Sequence, residues 1–393
     1  MSAFVVLLMA MLLMSFGMGG IMPLMAVHAQ ALGASGIWIG LVVGASPLVR
    51  GLFQVVFGRL ADLYRIKVLM LVGLGGYALA ALGLYSASTP AALVVWRVIQ
   101  GIMLAVVQPA AWAYAGLVTP AGREGTLMSV FNVSFIGGFV LGPITGTLLY
   151  ARFGMGIPFL IMSVLGALAF LLVMAFVPER ATTSSYGKMA LAPFSAIIRD
   201  GVVQGIVAGR FSLATGWAVF EAMLPIWVAV YLGLPPYIVG LIMSLQAVCE
   251  SSIQLFCGVL ADRVDRRRLG LMGFSFAVLA IYLMPLAVTP AQLMAGALLL
   301  ASSTGVYVPA ITALSVERGR LYGMGTIMGT TSTAMSLGLG FGSILGGVVM
   351  DLFSIQMSFW VAGLVATVGV IIFALRTLPA PRSVVFTRVP SSL

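Results

Sequence analysis

The sequence predicts an all-α integral membrane protein with twelve spanning helices in two pseudo-symmetric six-helix bundles. Composition, the placement of charge and an internal repeat predict it. Of 393 residues, 61% are hydrophobic and only 8% are charged, whereas about a quarter of a soluble domain is charged. A bilayer-spanning helix takes about 20 mostly apolar residues, so twelve use roughly 240 to 300 and leave only short loops. A large soluble catalytic domain is thereby excluded.

Apolar runs divided at Gly, Pro and charge place six spans at 3–32, 38–62, 68–88, 91–117, 125–150 and 156–178. The first run has no Lys or Arg before Arg50 and so lacks the basic start of a cleaved signal peptide; it reads as span 1. Six more follow at 203–232, 237–262, 267–288, 290–315, 323–350 and 356–377. The longest polar stretch lies between the two sets. The organisation expected is therefore a first bundle over 1–178, a linker over 179–202, a second bundle over 203–377 and a tail over 378–393.

Charge fixes the orientation. Of the 20 Lys and Arg, Arg50, Arg97 and Arg210 fall inside spans, and every other one except Arg152 falls on one side of the bundle. Basic loops mark the cytoplasmic side, which places both termini inside a cytoplasmic membrane. The net charge of +10 is spread over separate loops, so it does not form the single basic face that nucleic-acid binding needs. Cys249 and Cys257 lie in one apolar segment and read as small core residues.

Sliding the chain against itself by 200 residues aligns Gly58, Leu60, Ala61 and Asp62 with Gly258, Leu260, Ala261 and Asp262. The same offset aligns Thr89-Pro90-Ala91 with Thr289-Pro290-Ala291, Pro109 with Pro309, and Gly142 and Gly146 with Gly342 and Gly346. Shared loop residues at one offset indicate two halves in parallel orientation. Such halves in transporters rock about a site near the bilayer midplane.

Three motifs carry a family resemblance. The loop after span 2, Gly58-Arg-Leu-Ala-Asp62-Leu-Tyr-Arg-Ile-Lys67, resembles the G-x-L-A-D-R-x-G-R-K signature of the major facilitator superfamily, departing from it at Leu63, Arg65 and Ile66. The second copy keeps Asp262, Arg263, Arg266 and Arg267 but has Asp265 at a glycine place. A glycine such as Gly58 permits close helix approach, and Asp62 at a helix end can meet a neighbouring helix amino terminus and a cation. The resemblance implies that Gly58, Asp62, Lys67, Asp262, Arg263 and Arg266 form a latch holding the cytoplasmic side shut. On span 4, Arg97-Val-Ile-Gln100-Gly101 is similar to the R-x-x-Q-G motif of drug/proton antiporters. An unpaired arginine there costs roughly 2.5 to 3.5 kcal/mol to insert, so Arg97 should face the interior; snorkelling to the surface is the alternative. On span 5, Gly138-Phe-Val-Leu-Gly142-Pro143-Ile-Thr-Gly146 is close to the antiporter motif G-x-x-x-G-P-x-x-G. Its small residues suit tight helix contact, and Pro143 kinks the helix. The resemblance implies the major facilitator fold, in the twelve-helix multidrug-efflux branch.

The charges at depth nominate a site. Arg50 and Glu250 are repeat-equivalent and lie about 18 Å from the helix ends at Asp62 and Asp262, near the midplane. Intramembrane ionisable residues are functional candidates, and a carboxylate held out of water favours its protonated form. Glu221 on span 7 is the first candidate for proton coupling and Glu250 on span 8 the second; Glu250 could instead be a structural ion-pair partner, since the resemblance puts span 8 at the contact between the halves. Arg50, Arg97, Gln100, Asn132, Trp112, Trp217 and Phe220 are the candidates to meet a substrate, with Tyr114 and Trp227 as further aromatic surfaces. Arg210 is placed to snorkel toward the cytoplasm. Met14, Met18, Met22 and Met25 form a stripe on span 1, better suited to adaptable packing or a greasy cavity wall than to a soft metal.

The expected function is a secondary transporter that exports small amphipathic molecules or drugs in exchange for protons by alternating access. The alternative is a proton symporter or facilitator for a small metabolite or organic anion; a non-transporting receptor or scaffold is a third class. An enzyme is not expected, because one histidine and no clustered acidic motif supply neither nucleophile and base nor metal site. The partners expected are a small-molecule substrate, protons and lipid, without nucleic acid, metal or cofactor, and the resemblance implies a monomer.

Overall fold

Among the described residues twelve helices are long and apolar enough to cross a bilayer, and they follow the sequence pattern to within a few residues except where proline intervenes. A computed structural model of the chain describes residues 3–63, 65–118, 124–179, 194–261, 264–322 and 324–377. In order, the helices are α1 (Ala3–Ile21), α2 (Leu24–Ala31), α3 (Gly36–Leu63), α4 (Ile66–Ser86), α5 (Pro90–Val118), α6 (Glu124–Phe153) and α7 (Gly156–Phe176), then α8 (Phe194–Arg199), α9 (Gly201–Ile226), α10 (Tyr237–Ala261), α11 (Arg266–Leu283), α12 (Pro290–Tyr322), α13 (Met324–Leu352) and α14 (Ile355–Thr377).

Span 1 is not one helix. Pro23 has no N–H to continue the ladder, so the chain turns after α1 and resumes as the short α2. On α9, Pro225 cannot donate to the Glu221 carbonyl, and the helix widens into a π turn over Trp227–Tyr231. The expected linker contains structure: α8 lies within it, and Asp200 caps α9 by accepting from the N–H groups of Val202 at 2.8 Å and Val203 at 3.1 Å. Gly154, at φ +85, ends α6 in the left-handed region and allows the short connection to α7.

The helices gather as the repeat requires. α1 packs on α6 and α7 and α4 on α5 and α7, while α9 packs on α13 and α14 and α11 on α12 and α14. Gly138, Gly142 and Gly146 of α6 lie against α1, and their repeat partners Gly338, Gly342 and Gly346 of α13 lie against α9. Without side chains the backbones meet directly, which is how membrane helices gain packing when lipid competes equally for apolar groups. Leu79, Leu171, Leu364 and Leu375 stand exposed on the outer faces, where hydrocarbon is their solvent.

Two seams join the bundles, α3 with α13 and α6 with α10. Gly36, Gly40 and Gly44 recur every fourth residue on α3, and a Cβ on any of them would collide with the α13 backbone or side chains at Gly340, Ser343, Gly347 or Asp351. On the other seam a Cβ at Gly240 would strike Thr147 and the Pro143 carbonyl, and the Ile144 N–H donates to Ser244 Oγ at 3.2 Å. The α3–α13 seam then loosens along its length. A Cβ at Gly51 would lie 2.9 Å from the Ser336 Cβ, one at Gly329 would lie 3.9 Å from Val55, and one at Gly58 would meet nothing within 4 Å. The bundles are therefore shut at the end bearing Gly36, here the closed end, and part toward the end bearing Arg65, Lys67 and Arg266, the basic end.

Candidate functional site

Prolines set within helices surround the space between the bundles. Pro47 on α3 and Pro143 on α6 line a cavity of about 540 Å³, and Pro225 follows one turn after Glu221 on its α9 wall. That volume suits a drug-sized molecule. Its wall is apolar and aromatic, with Met18, Met22, Trp112, Phe135, Phe139, Trp217 and Phe220, and it is interrupted by the charges of Arg50, Arg97, Arg210, Glu221 and Glu250. Asn132, Gln54, Gln246 and Tyr307 add polar groups.

Arg97 is fixed on two carbonyls of α3, one of which proline has left unpaired. Pro47 cannot donate to the Val43 carbonyl four residues earlier, and the Arg97 Nη2 donates to that oxygen at 2.9 Å while Nε donates to the Val42 carbonyl at 2.9 Å. Gln100 Oε1 accepts from Nη1. Gly101, one residue later, lets α5 lie close to α3, since a Cβ there would sit 2.5 Å from the Ser46 carbonyl. The R-x-x-Q-G motif thus docks α5 onto α3 beside Pro47, and at 6% exposure Arg97 does not snorkel.

Carbonyls satisfy the donors of Arg97 but leave its charge unneutralised. Glu221 lies close enough to Arg97 and Arg50 for their charges to act on it, yet none of the described ion pairs includes Glu221 or Glu250. Arg50 reaches Ser336 Oγ across the seam only at 3.5 Å, and among the described residues its buried Nε has no partner; Gln54 Oε1 and Gln246 Nε2 are likewise buried and unpartnered there. A second electrostatic group joins Arg210, Tyr307 and Glu250.

Of the residues nominated from sequence, Glu221, Glu250, Arg50, Arg97, Asn132, Trp112, Trp217 and Phe220 share this one cavity. Gln100 does not: it is fully buried behind Arg97, with its Nε2 3.9 Å from the Met162 sulfur, because orienting the arginine uses its side chain. Tyr114 also lies elsewhere, donating to the Pro178 carbonyl, and Trp227, at the start of the π turn, donates to the Ala287 carbonyl. Arg210 does not snorkel to the surface but lines the cavity, where Tyr307 offers a polar neighbour. Met18 and Met22 face the cavity, whereas Met14 and Met25 are core.

The antiporter-like motif divides its work between two contacts. Gly138, Gly142 and Gly146 take α1, and Pro143 faces the cavity with its carbonyl against Gly240 of α10. The close approach expected at Gly58 is absent in this conformation because the bundles have parted there. Lys67 donates to the Met174 carbonyl of its own bundle at 2.9 Å, and Arg266 meets Glu317 at 4.0 Å. The side chain of Asp62, and Asp262 and Arg263, fall outside the described residues. Sequence reasoning missed Gln54, Gln246 and the role of Pro47; the signal for Pro47 was a proline within a span, one turn from the nominated Arg50.

Known proteins resemble this chain over nearly its whole length. The sequence pattern of the Major Facilitator Superfamily matches residues 7–235 and again 206–391. An uncharacterized MFS-type transporter of Methanocaldococcus jannaschii is 25% identical over 364 residues, covering 92% of this chain and 94% of the relative. A multi-drug resistance efflux pump PmrA homolog of Lactococcus lactis is 25% identical, with 89% of each covered. Multidrug resistance protein 2 of Bacillus subtilis is 26% identical, with 93% of each covered. Among solved structures, a single-residue mutant of the nucleoside transporter NupG superposes with a TM-score of 0.82 at 13% identity, covering 96% of this chain and 100% of that one. A bacterial homolog of the human lysosomal transporter Spinster, inward-facing and occupied, superposes at 0.80 and 13% identity, covering 95% and 96%. At these identities the structures share the fold.

Proposed function

Because the chain belongs to the major facilitator superfamily, a family of transporters and not of enzymes, we propose that it exports small amphipathic molecules in exchange for protons. The observation that carries this is the pairing of a greasy aromatic cavity with two carboxylates, Glu221 and Glu250, that meet no cation within ion-pair distance among the described residues. A cationic or hydrogen-bond-donating substrate and a proton stabilise the same carboxylate, so each displaces the other. Competition of this kind, joined to alternating access, yields antiport. Relatives named as multidrug efflux pumps support the direction.

In this reading residues 1–178 and 203–377 are the moving bundles, 179–202 the linker and 378–393 a tail. The basic end faces the cytoplasm, as the positive-inside rule has it, so the cavity opens inward. One chain supplies both cavity walls, and a monomer in the cytoplasmic membrane suffices. Proteoliposomes loaded with a fluorescent amphipathic cation test it: an imposed pH gradient should drive flux, and Glu221→Gln should abolish the dependence on the gradient. Flux indifferent to the gradient in the unaltered protein would refute coupling.

A second reading rests on the unpartnered Nε of Arg50. An organic anion held there would bind better when Glu221 is protonated and no longer competes for the guanidinium, so proton and substrate would travel together. The sign of the gradient effect separates the two.

A further inference from the structure

The closed end is held by a contact that lies outside the cavity and outside the family motifs. The Asp351 carboxylate, in the last turn of α13, accepts from the backbone N–H of Gly36 and, at 2.8 Å, from that of Ile37. These are the first two residues of α3. Their N–H groups have no partner within their own helix and form its positive pole, so the carboxylate meets two orphan donors and a favourable dipole at once. Gly36 makes the approach possible, because a Cβ there would lie 2.6 Å from Asp351 Oδ1 and collide with the Gly347 carbonyl. The bond ties one bundle to the other across 315 residues of sequence.

The other seam lacks this device. Under the 200-residue repeat Asp351 corresponds to Ala151 and Gly36 to Pro236, so the counterpart has neither the carboxylate nor, at Pro236, an N–H. Arg152 beside it sits with its guanidinium 5.8 Å over the Phe153 ring. At the opposite ends of α3 and α10 the sequence instead places Asp62 and Asp262.

We propose that Asp351 is a gate residue of the transport cycle: it caps α3 while the closed end is shut and releases it when that end opens, so its bond sets the balance between the two conformations. The inference goes beyond the proposed function and is independent of substrate and coupling ion, so it can fail while that reading stands.

The test uses the full chain in lipid nanodiscs, with Cys249 and Cys257 replaced by serine and spin labels on cysteines introduced at the exposed positions Ser35 and Phe353. Pulsed electron resonance then reads the distance across the closed end without ligand or gradient. A helix cap plus a charge at the helix pole is worth about fivefold to thirtyfold in an equilibrium. Asp351→Ala should raise the ratio of separated to apposed ends by that factor. Asp351→Asn, which keeps one acceptor and loses the charge, should raise it less and covers the case that the alanine protein fails to fold. A distance distribution unchanged in either variant overturns the proposal.

Discussion

Replacing Arg97 by methionine keeps an unbranched apolar stem and removes the donor that Pro47 made necessary. In the native chain Arg97 serves the Val42 and Val43 carbonyls and Gln100. Val42 keeps the helical N–H of Ser46, so the Val43 carbonyl alone is left without a donor, which should cost about 0.6 to 3 kcal/mol, from an average polar contact in a membrane protein to a fully buried acceptor. The sharper quantity is a coupling. Pro47→Ala restores an N–H within reach of the Val43 oxygen, so the orphaned acceptor recovers its helical partner. The Arg97→Met penalty should then fall by about 1 to 2 kcal/mol relative to the Pro47 background. Equilibrium unfolding in mixed micelles of the four proteins measures it. Additivity to within about 0.5 kcal/mol would refute the view that Arg97 is placed by the carbonyl that Pro47 leaves free.

Three further outcomes are expected. Gly40→Ala should depress the melting temperature, because its Cβ meets the Ser343 carbonyl, whereas Gly58→Ala, facing open space, should stay within about 0.5 kcal/mol of the native chain; equal effects would contradict the tapered seam. Asp200→Ala should destabilise by about 2 to 4 kcal/mol, losing the α9 cap together with Tyr322 at 3.0 Å and Arg318 at 3.3 Å. In a denaturation cycle Tyr322→Phe should add little once Asp200 is gone. Trp217→Ala should raise KM for a flat aromatic cation by about threefold to tenfold, and the same loss for a non-aromatic substrate would remove Trp217 from the binding surface.

The twelve spans, the two halves and most of the cavity wall were legible because hydrocarbon restricts what the sequence can do. An ionisable group inside a span must turn inward, and Arg50, Arg97, Glu221 and Glu250 line one cavity as that rule requires. For Arg210 depth alone does not decide, because a long side chain seven residues into a helix can turn either to the surface or to Tyr307, and here it lines the cavity. Gln100 was misplaced for a different reason: a polar residue beside a buried arginine serves the arginine before it serves a substrate. Asp351 was illegible because its function depends on which helix start lies across the seam, and hydropathy carries no information about that pairing. Span 1 was drawn as one helix although Pro23 marked the break.

The central claim is that substrate and proton compete for Glu221. Purified protein in weakly buffered detergent solution, mixed with an amphipathic cation, should release protons in proportion to the substrate bound, and Glu221→Gln should bind without that release. Binding that takes up protons, or a release unchanged in Glu221→Gln, would contradict the account.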